Sequence, residues 1–254
     1  MAQSRAVLTI VHDEAVFFPL WLRYYQQFFA PEDIYVLDHQ STDGSTDGGG
    51  FVREPVEHDR VDMRWLRDTI QAKQHELIER YDVVLITDVD EIVAPDPSRG
   101  TLGDYIEQFD KEFVNCVGYE LLHQPDSEPP FQPELPILQQ RHHWFPNFAY
   151  SKPVLARVPM EWHLGFHARM DGRADFDTSL HLIHLHRMDY DVCLARHRLR
   201  RGLAWSERDL AKGRAYQNRI TEVDEFDRWF AGDSCNTMVP IRLEEIPASW
   251  RSVV

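Results

Sequence analysis

The stretch DVVLITDVDE, residues 82–91, decides the fold of this chain. An apolar and mostly β-branched run leads directly into three acidic residues, Asp88, Asp90 and Glu91. Such a run is typical of a strand that is buried on both faces, as in the parallel sheet of an α/β protein. Ligands of open α/β sheets bind at the carboxyl ends of the strands, where these acids are expected. The stretch therefore indicates a divalent-metal site, because carboxylates placed there need a cation or hydrogen bonds. An acidic loop that caps a core strand is the alternative.

Two further apolar runs end in acidic turns. Residues 6–11 and 34–37 predict strands; Asp13 and Glu14 follow the first strand, and Asp38 follows the second. Functional loops of a doubly wound parallel sheet lie on one edge, so the acidic turns are expected to converge there.

Helices are predicted between these strands. Aromatic residues recur at helical spacing after Pro19, and residues 64–80 lack Gly and Pro and are rich in helix formers. This alternation predicts an α/β fold with a doubly wound, mostly parallel sheet. Past residue 95 the pattern weakens, and the five prolines of residues 124–136 predict an ordered excursion or a lid. Further strands are expected at residues 115–121, 153–158 and 181–186.

Composition narrows the class of partner. The 254 residues include 42 acidic and 27 basic side chains, and the net charge of -15 opposes binding to nucleic acid or to an anionic membrane surface. We therefore expect no nucleic-acid partner and at most peripheral membrane contact. The three cysteines are far apart, and no apolar run approaches the roughly 18 residues of a membrane span. A cytoplasmic, reducing location is the expectation.

Three motifs together resemble a known family. They are VHDEAVFFPLWLRYYQQF at residues 11–28, YVLDHQSTDGST at residues 35–46, and VLITDVDEIV at residues 84–93. In this order, at strand ends, they resemble the family 2 type of nucleotide-sugar glycosyltransferases with the GT-A fold, especially a compact bacterial subgroup with a D-V-D-E metal motif. The resemblance covers roughly the first 95 residues well and continues more weakly to about residue 190.

The resemblance implies a GT-A-like catalytic domain at residues 1–190. Residues 1–95 would be its Rossmann-like, nucleotide-sugar-binding half and residues 96–190 its acceptor half, with residues 191–254 as a helical extension packed on it. The implied activity is metal-dependent transfer of a sugar, with inversion, from a nucleoside diphosphate donor to a hydroxyl of a glycan or glycolipid acceptor. A UDP-sugar is the expected donor, in polysaccharide biosynthesis.

The resemblance also implies roles for individual residues. Asp88 and Asp90 would bind Mn²⁺ or Mg²⁺ on the donor diphosphate. Asp88 would also contact the donor, and Glu14 and Asp38 would lie near the nucleoside. The family often has Asn before that Glu and paired acids in the second turn, where this chain has Asp13 and His39; the nucleotide base is therefore left open.

The helix before the D-V-D-E strand offers further donor contacts. Gln71 and Lys73 resemble positions that meet the donor in relatives of this family. A solvated helix face is the alternative reading of both residues.

Histidine is unusually frequent, with thirteen residues. His184 and His186 project from one face of the expected strand. In GT-A enzymes a late histidine often completes the metal shell, so the resemblance makes both candidate ligands, with a buried histidine bonded to a carbonyl as the alternative. His163 and His167 have i,i+4 spacing but lack the glutamate of a zinc-protease helix, so they are candidates for the acceptor pocket instead.

The base that takes the acceptor proton is predicted to be Glu91, because it lies beside the metal pair. Other carboxylates are open to the same role: Glu161, Asp171, Asp175 and Asp177.

Two other classes remain open. One is a haloacid-dehalogenase-like phosphatase, whose D-x-D also follows an apolar strand. The other is a non-catalytic carbohydrate-binding module with a decayed site.

Overall fold

The computed structural model describes residues 3–232 and 241–254. Over these residues it contains ten strands and seven α-helices. The strands are β1 (Arg5–Val11), β2 (Ile34–Asp38), β3 (Val52–Pro55), β4 (Val83–Ile86), β5 (Glu91–Pro95), β6 (Phe113–Leu122), β7 (His143–Pro146), β8 (Pro153–Ala156), β9 (Phe176–Arg187) and β10 (Glu244–Glu245). The helices are α1 (Phe17–Tyr25), α2 (Met63–Ile78), α3 (Leu102–Glu107), α4 (Ile137–Gln140), α5 (Tyr190–Gly202), α6 (Glu207–Ala211) and α7 (Val223–Ala231).

The first half of the sheet is parallel. Its strand order is β3-β2-β1-β4, with α1 between β1 and β2 and α2 between β3 and β4. This is the arrangement of a doubly wound α/β sheet. The α/β fold class predicted from the sequence is confirmed, and the carboxyl ends of β1, β2 and β4 lie at one edge.

The second half of the sheet is mixed. Strand β8 lies between β4 and β6 and is antiparallel to both, and β7 and β10 extend the sheet beyond β6. Strand β9 runs parallel to β6 and antiparallel to β5, so that His184 lies opposite Glu91 in the β5–β9 register. Residues far apart in sequence are thereby aligned beside the acidic turn.

An aromatic helix fixes that turn. On α1, the Trp21 indole N–H donates to Thr87 Oγ1 at 2.7 Å, and the Tyr25 hydroxyl donates to the Glu91 carbonyl at 3.2 Å. The Tyr24 hydroxyl donates to the Val93 carbonyl at 2.9 Å. Because all three aromatic side chains are buried, their polar atoms need hydrogen-bond partners. The hydrogen bonds from α1 therefore fix the position of the acidic turn and of β5.

Helices α5 to α7 pack against both halves. Asp209 on α6 accepts a hydrogen bond from the backbone N–H of Met63, the first residue of α2, at 2.8 Å. On α7, Phe226, Trp229 and Phe230 are buried in a cluster that includes Phe145 of β7. The expected C-terminal extension also includes residues 233–240, with Cys235, which lie outside the described residues.

The proline-rich excursion at residues 124–136 is held by buried polar contacts. Glu128 accepts from the backbone N–H groups of Gln124 at 2.9 Å and His142 at 2.7 Å. Arg141 donates to the Pro129 carbonyl at 3.0 Å. Over the described chain, no helix is both long and apolar enough to cross a membrane.

Candidate active site

A cavity of about 480 Å³ opens at the carboxyl-end edge of the parallel strands. Its volume falls in the range of about 300–1,000 Å³ that is usual for small-molecule sites. Residues from both halves of the sheet and from the C-terminal helices line it. The charged and imidazole-bearing groups of its wall include Glu14, Asp88, Asp90, Lys152, His167, His184, His186, Arg196 and Arg200.

Asp90 is at the centre of a buried cluster. Its Oδ2 atom lies 3.4 Å from Nε2 of His184 and 3.3 Å from Nδ1 of His186, and it accepts a hydrogen bond from Arg196. The two imidazoles come from β9, with ring centroids 5.6 Å apart and planes within 6° of parallel. The structure therefore brings Asp90, His184 and His186 together, with one possible ligand atom from each within 4.8 Å of the others.

The charges around the cluster shift its pKa values in different directions. Burial alone would raise the pKa of Asp90, but Arg196 and His184 outweigh it and hold the pKa well below its usual range. Burial alone would lower the pKa of His184, but Asp90 and Glu120 raise it to about 9. For His186, burial lowers the pKa well below its usual value, and the nearby Arg196 charge acts in the same direction.

Glu120 on β6 holds the other side of His184. Its Oε1 atom lies 3.1 Å from His184 Nδ1, and its Oε2 accepts from the Asn147 amide at 3.0 Å. The ring of Tyr150 stacks on the imidazole of His184 with centroids 3.8 Å apart. Since a carboxylate accepts the Nδ1 proton, Nε2 of His184 is the atom directed toward Asp90.

Glu14, the acid after β1, is bound by two arginines of α5. Its Oε1 atom accepts from Arg196 Nη2 at 2.6 Å and from Arg200 Nη2 at 3.2 Å. The Arg196 guanidinium therefore bridges Glu14 and Asp90, which follow neighbouring parallel strands. Helix α5 thus supplies positive charge directly to the acidic edge of the sheet.

Asp88 and Glu91 share a buried lysine from the residue before β8. Lys152 Nζ lies 2.7 Å from Asp88 Oδ2 and 2.5 Å from Glu91 Oε1. Lys152 is 3 % exposed and Glu91 is 1 % exposed, whereas the Asp88 side chain is 41 % exposed. Burial would lower the pKa of Lys152, but the two carboxylates raise it, so its ammonium stays charged.

Three residues that were expected near the donor do not line this cavity, and each is bonded to other residues of the chain. Asp38 accepts from Arg53 Nη2 at 2.6 Å and from the Ser41 backbone N–H at 3.0 Å, while its neighbour His39 lines the wall. Burial would raise the pKa of Asp38, but the hydrogen bonds from Ser41 and Arg53 lower it. The other two residues are on α2, namely Gln71 and Lys73.

These two side chains of α2 have partners of their own. Gln71 Oε1 accepts from the Trp162 backbone N–H at 3.0 Å. Lys73 Nζ donates to Glu54 at 2.7 Å and to Glu76 at 2.9 Å. Neither Gln71 nor Lys73 contributes to the described wall of the cavity.

Several wall or supporting residues escaped sequence reasoning. No role in the site was predicted for Lys152 or Glu120, and only the pairing of β8, β6 and β9 places them beside the acids. The arginines of α5 form a basic patch in an acidic chain, but this pattern fits a helix surface paired with acids as well as an anion-binding site. His197, on the same helix, had no signal separate from the general abundance of histidine.

The donor set fits a first-row divalent ion. One carboxylate and two imidazoles converge, and the outer nitrogen of His184 is bonded to a carboxylate, as is usual for histidines that bind metals. Two nitrogen ligands suit a transition ion such as Mn²⁺ better than Mg²⁺, which prefers oxygen. Asp90, His184 and His186 are thus suited to hold such an ion.

Comparisons with known proteins give likeness only at the level of structure. No protein-family model matches the chain, and no curated protein matches it. One similar solved structure is the mannosyltransferase PcManGT from Pyrobaculum calidifontis in complex with GDP-Man and Mn²⁺, with a TM-score of 0.38 and 16% identity over 78% of this chain and 62% of that chain. Another is the galactosyltransferase LgtC in complex with donor and acceptor sugar analogs, with a TM-score of 0.26 and 16% identity over 50% of this chain and 55% of that chain.

A third similar structure is a putative glucose-1-phosphate thymidylyltransferase from Bacillus anthracis in complex with a sucrose. Its TM-score is 0.32, with 10% identity over 95% of this chain and 89% of that chain. The chain spans about 62% and 55% of the lengths of the two transferases. Similarity at these TM-scores does not indicate an activity for this chain.

Proposed function

We propose that this chain is a metal-dependent glycosyltransferase that moves a sugar from a nucleoside diphosphate donor to a hydroxyl of a glycan or glycolipid acceptor. The observation that carries the proposal is the convergence of Asp90, His184 and His186 in a cavity at the carboxyl-end edge of a doubly wound sheet. Ligands of such sheets bind at that edge.

The proposed ion is Mn²⁺ or Mg²⁺, with Mn²⁺ favoured by the two imidazole ligands. When bound, it neutralises the negative charge that grows on the leaving diphosphate. Asp90, His184 and His186 would hold it. Asp88 remains a proposed ligand and donor contact: it lines the same cavity and is more exposed, and its carboxylate bonds Lys152 at 2.7 Å.

The cavity wall also offers cations for a diphosphate. Lys152, Arg196, Arg200 and Arg214 all line it, although the chain as a whole has a net charge of -15. Positive side chains concentrated around one cavity of an acidic protein favour an anionic ligand there. The proposed role of Arg196 and Arg200 is to hold the diphosphate once they release Glu14.

The nucleoside is proposed to bind beside the ends of β1 and β2. His39 lines the cavity there, and its ring lies 4.7 Å from that of Trp65. Met63 and Leu66 from the start of α2 add apolar surface to the same wall. An aromatic and apolar wall of this kind suits a flat base, and a uridine base is the one we expect.

Transfer with inversion requires a base for the acceptor proton. Glu91 is the sequence prediction, and the structure places its carboxylate against Lys152 and the backbone N–H of Asp88. Glu91 is buried and does not line the cavity, whereas His167 does. The Nδ1 atom of His167 bonds to the Ala149 carbonyl at 2.5 Å, so its Nε2 accepts when the ring is neutral. We retain Glu91 as the proposed base and His167 as the alternative.

Calorimetric titration with UDP, GDP and their sugar nucleotides, each with and without Mn²⁺, tests the proposal. We expect one nucleotide class to bind in an Mn²⁺-dependent manner, with slow release of sugar to water in the absence of acceptor. Asp90→Asn removes a proposed ligand and should abolish the Mn²⁺ dependence. Asp110→Asn, on an exposed loop residue, is the matched control and should retain it.

Two outcomes would favour the other classes. Release of phosphate from p-nitrophenyl phosphate, without nucleotide binding, would indicate the phosphatase. Mn²⁺-dependent nucleotide binding without hydrolysis or transfer would indicate a non-catalytic module.

A further inference from the structure

A chain of hydrogen bonds runs from the cavity into the C-terminal helices behind it. Arg196 Nη1 lies 3.0 Å from Nδ1 of His186, and Nε2 of His186 lies 2.8 Å from Nε2 of His197. Nδ1 of His197 lies 2.9 Å from the backbone carbonyl oxygen of Ile220. His197 is fully buried, and His186 is 3 % exposed.

The groups at the two ends of this chain limit where its protons lie. Two groups compete at Nδ1 of His186: the Arg196 guanidinium, which can only donate, lies at 3.0 Å, and the Asp90 carboxylate, which can only accept, lies at 3.3 Å. The shorter contact favours Nδ1 as the acceptor, and Asp90 already accepts from the same guanidinium. A carbonyl oxygen only accepts, so Nδ1 of His197 must carry the proton that it donates to Ile220. A single proton lies between the two Nε2 atoms. If both rings are neutral, His197 already carries its one proton on Nδ1, so the proton between the rings belongs to Nε2 of His186.

The other placement of that proton is disfavoured. A proton on Nε2 of His197 in addition to Nδ1 would make this ring an imidazolium, fully buried on the same helix as Arg196 and Arg200. With Nδ1 of His186 accepting from Arg196, it would also leave that ring with neither nitrogen protonated, as an imidazolate. Burial of an unpaired charge is costly, so the structure assigns the Nε2–H tautomer to His186 and the Nδ1–H tautomer to His197.

We propose that His197 is a positioning residue that selects the ligating nitrogen of His186. His197 accepts a hydrogen bond from Nε2–H of His186 and so keeps the proton on that nitrogen. Nδ1 of His186 is then a bare lone pair, and this is the atom 3.3 Å from Asp90 Oδ2. The inference rests on the proposed function, because it gives that lone pair a cation to bind. It adds a residue of the C-terminal helices to the metal site.

His184 and His186 are then prepared in complementary ways. The carboxylate of Glu120 bonds Nδ1 of His184 and directs Nε2 toward Asp90. His197 bonds Nε2 of His186 and directs Nδ1 toward the same oxygen. Outer partners of this kind orient metal ligands, and their loss typically weakens metal affinity about 10–100-fold.

The first measurement needs neither metal nor variant. Long-range ¹H–¹⁵N correlation spectra of ¹⁵N-histidine-labelled protein distinguish the two neutral tautomers. We expect the Nε2–H form for His186 and the Nδ1–H form for His197. An Nδ1–H form of His186 would overturn the proposal.

The second measurement is Mn²⁺ affinity, by calorimetry and by electron paramagnetic resonance of free Mn²⁺. His197→Phe keeps a ring but removes the acceptor, and it should weaken binding about 10–100-fold. His197→Gln restores an acceptor oxygen and should recover part of the loss. His75→Phe removes an imidazole from α2 that bonds only the Met160 carbonyl among its described contacts, and it should leave affinity unchanged.

The outcomes separate the two proposals. Absence of Mn²⁺ binding by the unmodified protein would overturn the proposed function, while the tautomer spectra would still decide the arrangement of His186 and His197. Normal Mn²⁺ binding by folded His197→Phe would overturn the positioning role alone. If His197→Phe does not fold, the tautomer spectra of the unmodified protein decide: an Nε2–H His186 supports the positioning role, and an Nδ1–H His186 rejects it.

Discussion

Arg196 is the residue whose contacts link most of the site. Its guanidinium bonds Glu14, Asp90 and His186 at once, and it packs over the ring of Phe17 at 4.2 Å. Two of these partners supply the atoms proposed to bind the ion. The guanidinium and the ion therefore compete for Asp90 and His186, and metal binding requires Arg196 to release them.

Arg196→Met should accordingly change two affinities in opposite directions. Mn²⁺ binding to the protein alone should strengthen, because the competing cation is gone. Binding of nucleoside diphosphate in saturating Mn²⁺ should weaken, because a positive side chain of the wall is lost. Calorimetric titration measures both, with Arg198→Met, on an exposed position of the same helix, as control. Weaker Mn²⁺ binding by Arg196→Met would contradict the competition.

Glu91 and His167 make different predictions as the base. If Glu91 takes the acceptor proton, Glu91→Gln should lower transfer by about 10²–10⁴-fold while donor binding persists, and His167→Gln should have little effect. Steady-state rates and donor affinities, measured together for both variants, decide between them. Full transfer by Glu91→Gln with loss in His167→Gln would move the role to His167.

At the scale of elements, Asp209 joins α6 to the start of α2. It is fully buried and accepts from the Met63 backbone N–H and from Arg214, both at 2.8 Å. Burial would raise the pKa of Asp209, but these hydrogen bonds lower it below its usual value. The stability that it contributes is therefore present above its unfolded pKa of about 3.9 and is lost as pH falls through the lower, folded value.

Asp209→Asn should show this pH dependence. At pH 7 the variant should be about 1.5–3 kcal/mol less stable, as expected for hydrogen bonds to a charged group. The difference from the unmodified protein should shrink as the pH falls below about 4. Urea unfolding at a series of pH values measures it. A difference that is constant down to pH 3 would mean that the carboxylate charge is not what joins α6 to α2.

Sequence and structure agree best where one element is decided by its own pattern. The apolar run before Asp88 and the Gly- and Pro-free stretch at residues 64–80 predicted β4 and α2 to within a few residues. Strand β5 was not predicted, because the acidic residues mark the end of β4 and do not indicate that a second strand follows directly. The pairing of β5 with β9, which brings His184 opposite Glu91, is a contact over long sequence separation that no local pattern encodes.

The difference between local patterns and long-range pairing also explains which residues of the candidate site could be predicted. Strand ends could be predicted, so Glu14, Asp88 and Asp90 were expected at one edge, and the structure places them in one cavity wall. Asp38 was expected there on the same grounds, but Arg53 of the neighbouring strand β3 binds its carboxylate. Which of the acids line the cavity depends on side chains of adjoining strands, and these are known only once the strand order is known.

At the scale of the whole molecule, the C-terminal helices share both the site and the core. Helix α5 contributes Arg196 and Arg200 to the cavity wall. Helix α7 buries Phe226 fully in a cluster with Phe145 of the sheet. A unit that shares a core cluster and a cavity with the sheet should unfold together with it rather than separately.

Phe226→Ala tests this cooperativity. Removing a fully buried ring should destabilise the protein by about 3–5 kcal/mol. Val223→Ala, on the same helix but at a 52% exposed position, is the matched control and should have a small effect. Scanning calorimetry should show one transition for the unmodified protein and one transition at lower temperature for Phe226→Ala. Mn²⁺ with its nucleotide should raise the whole transition in both, because the ligand binds only the folded chain. A second transition that moves with Phe226→Ala but not with ligand would mean that the C-terminal helices fold independently of the site.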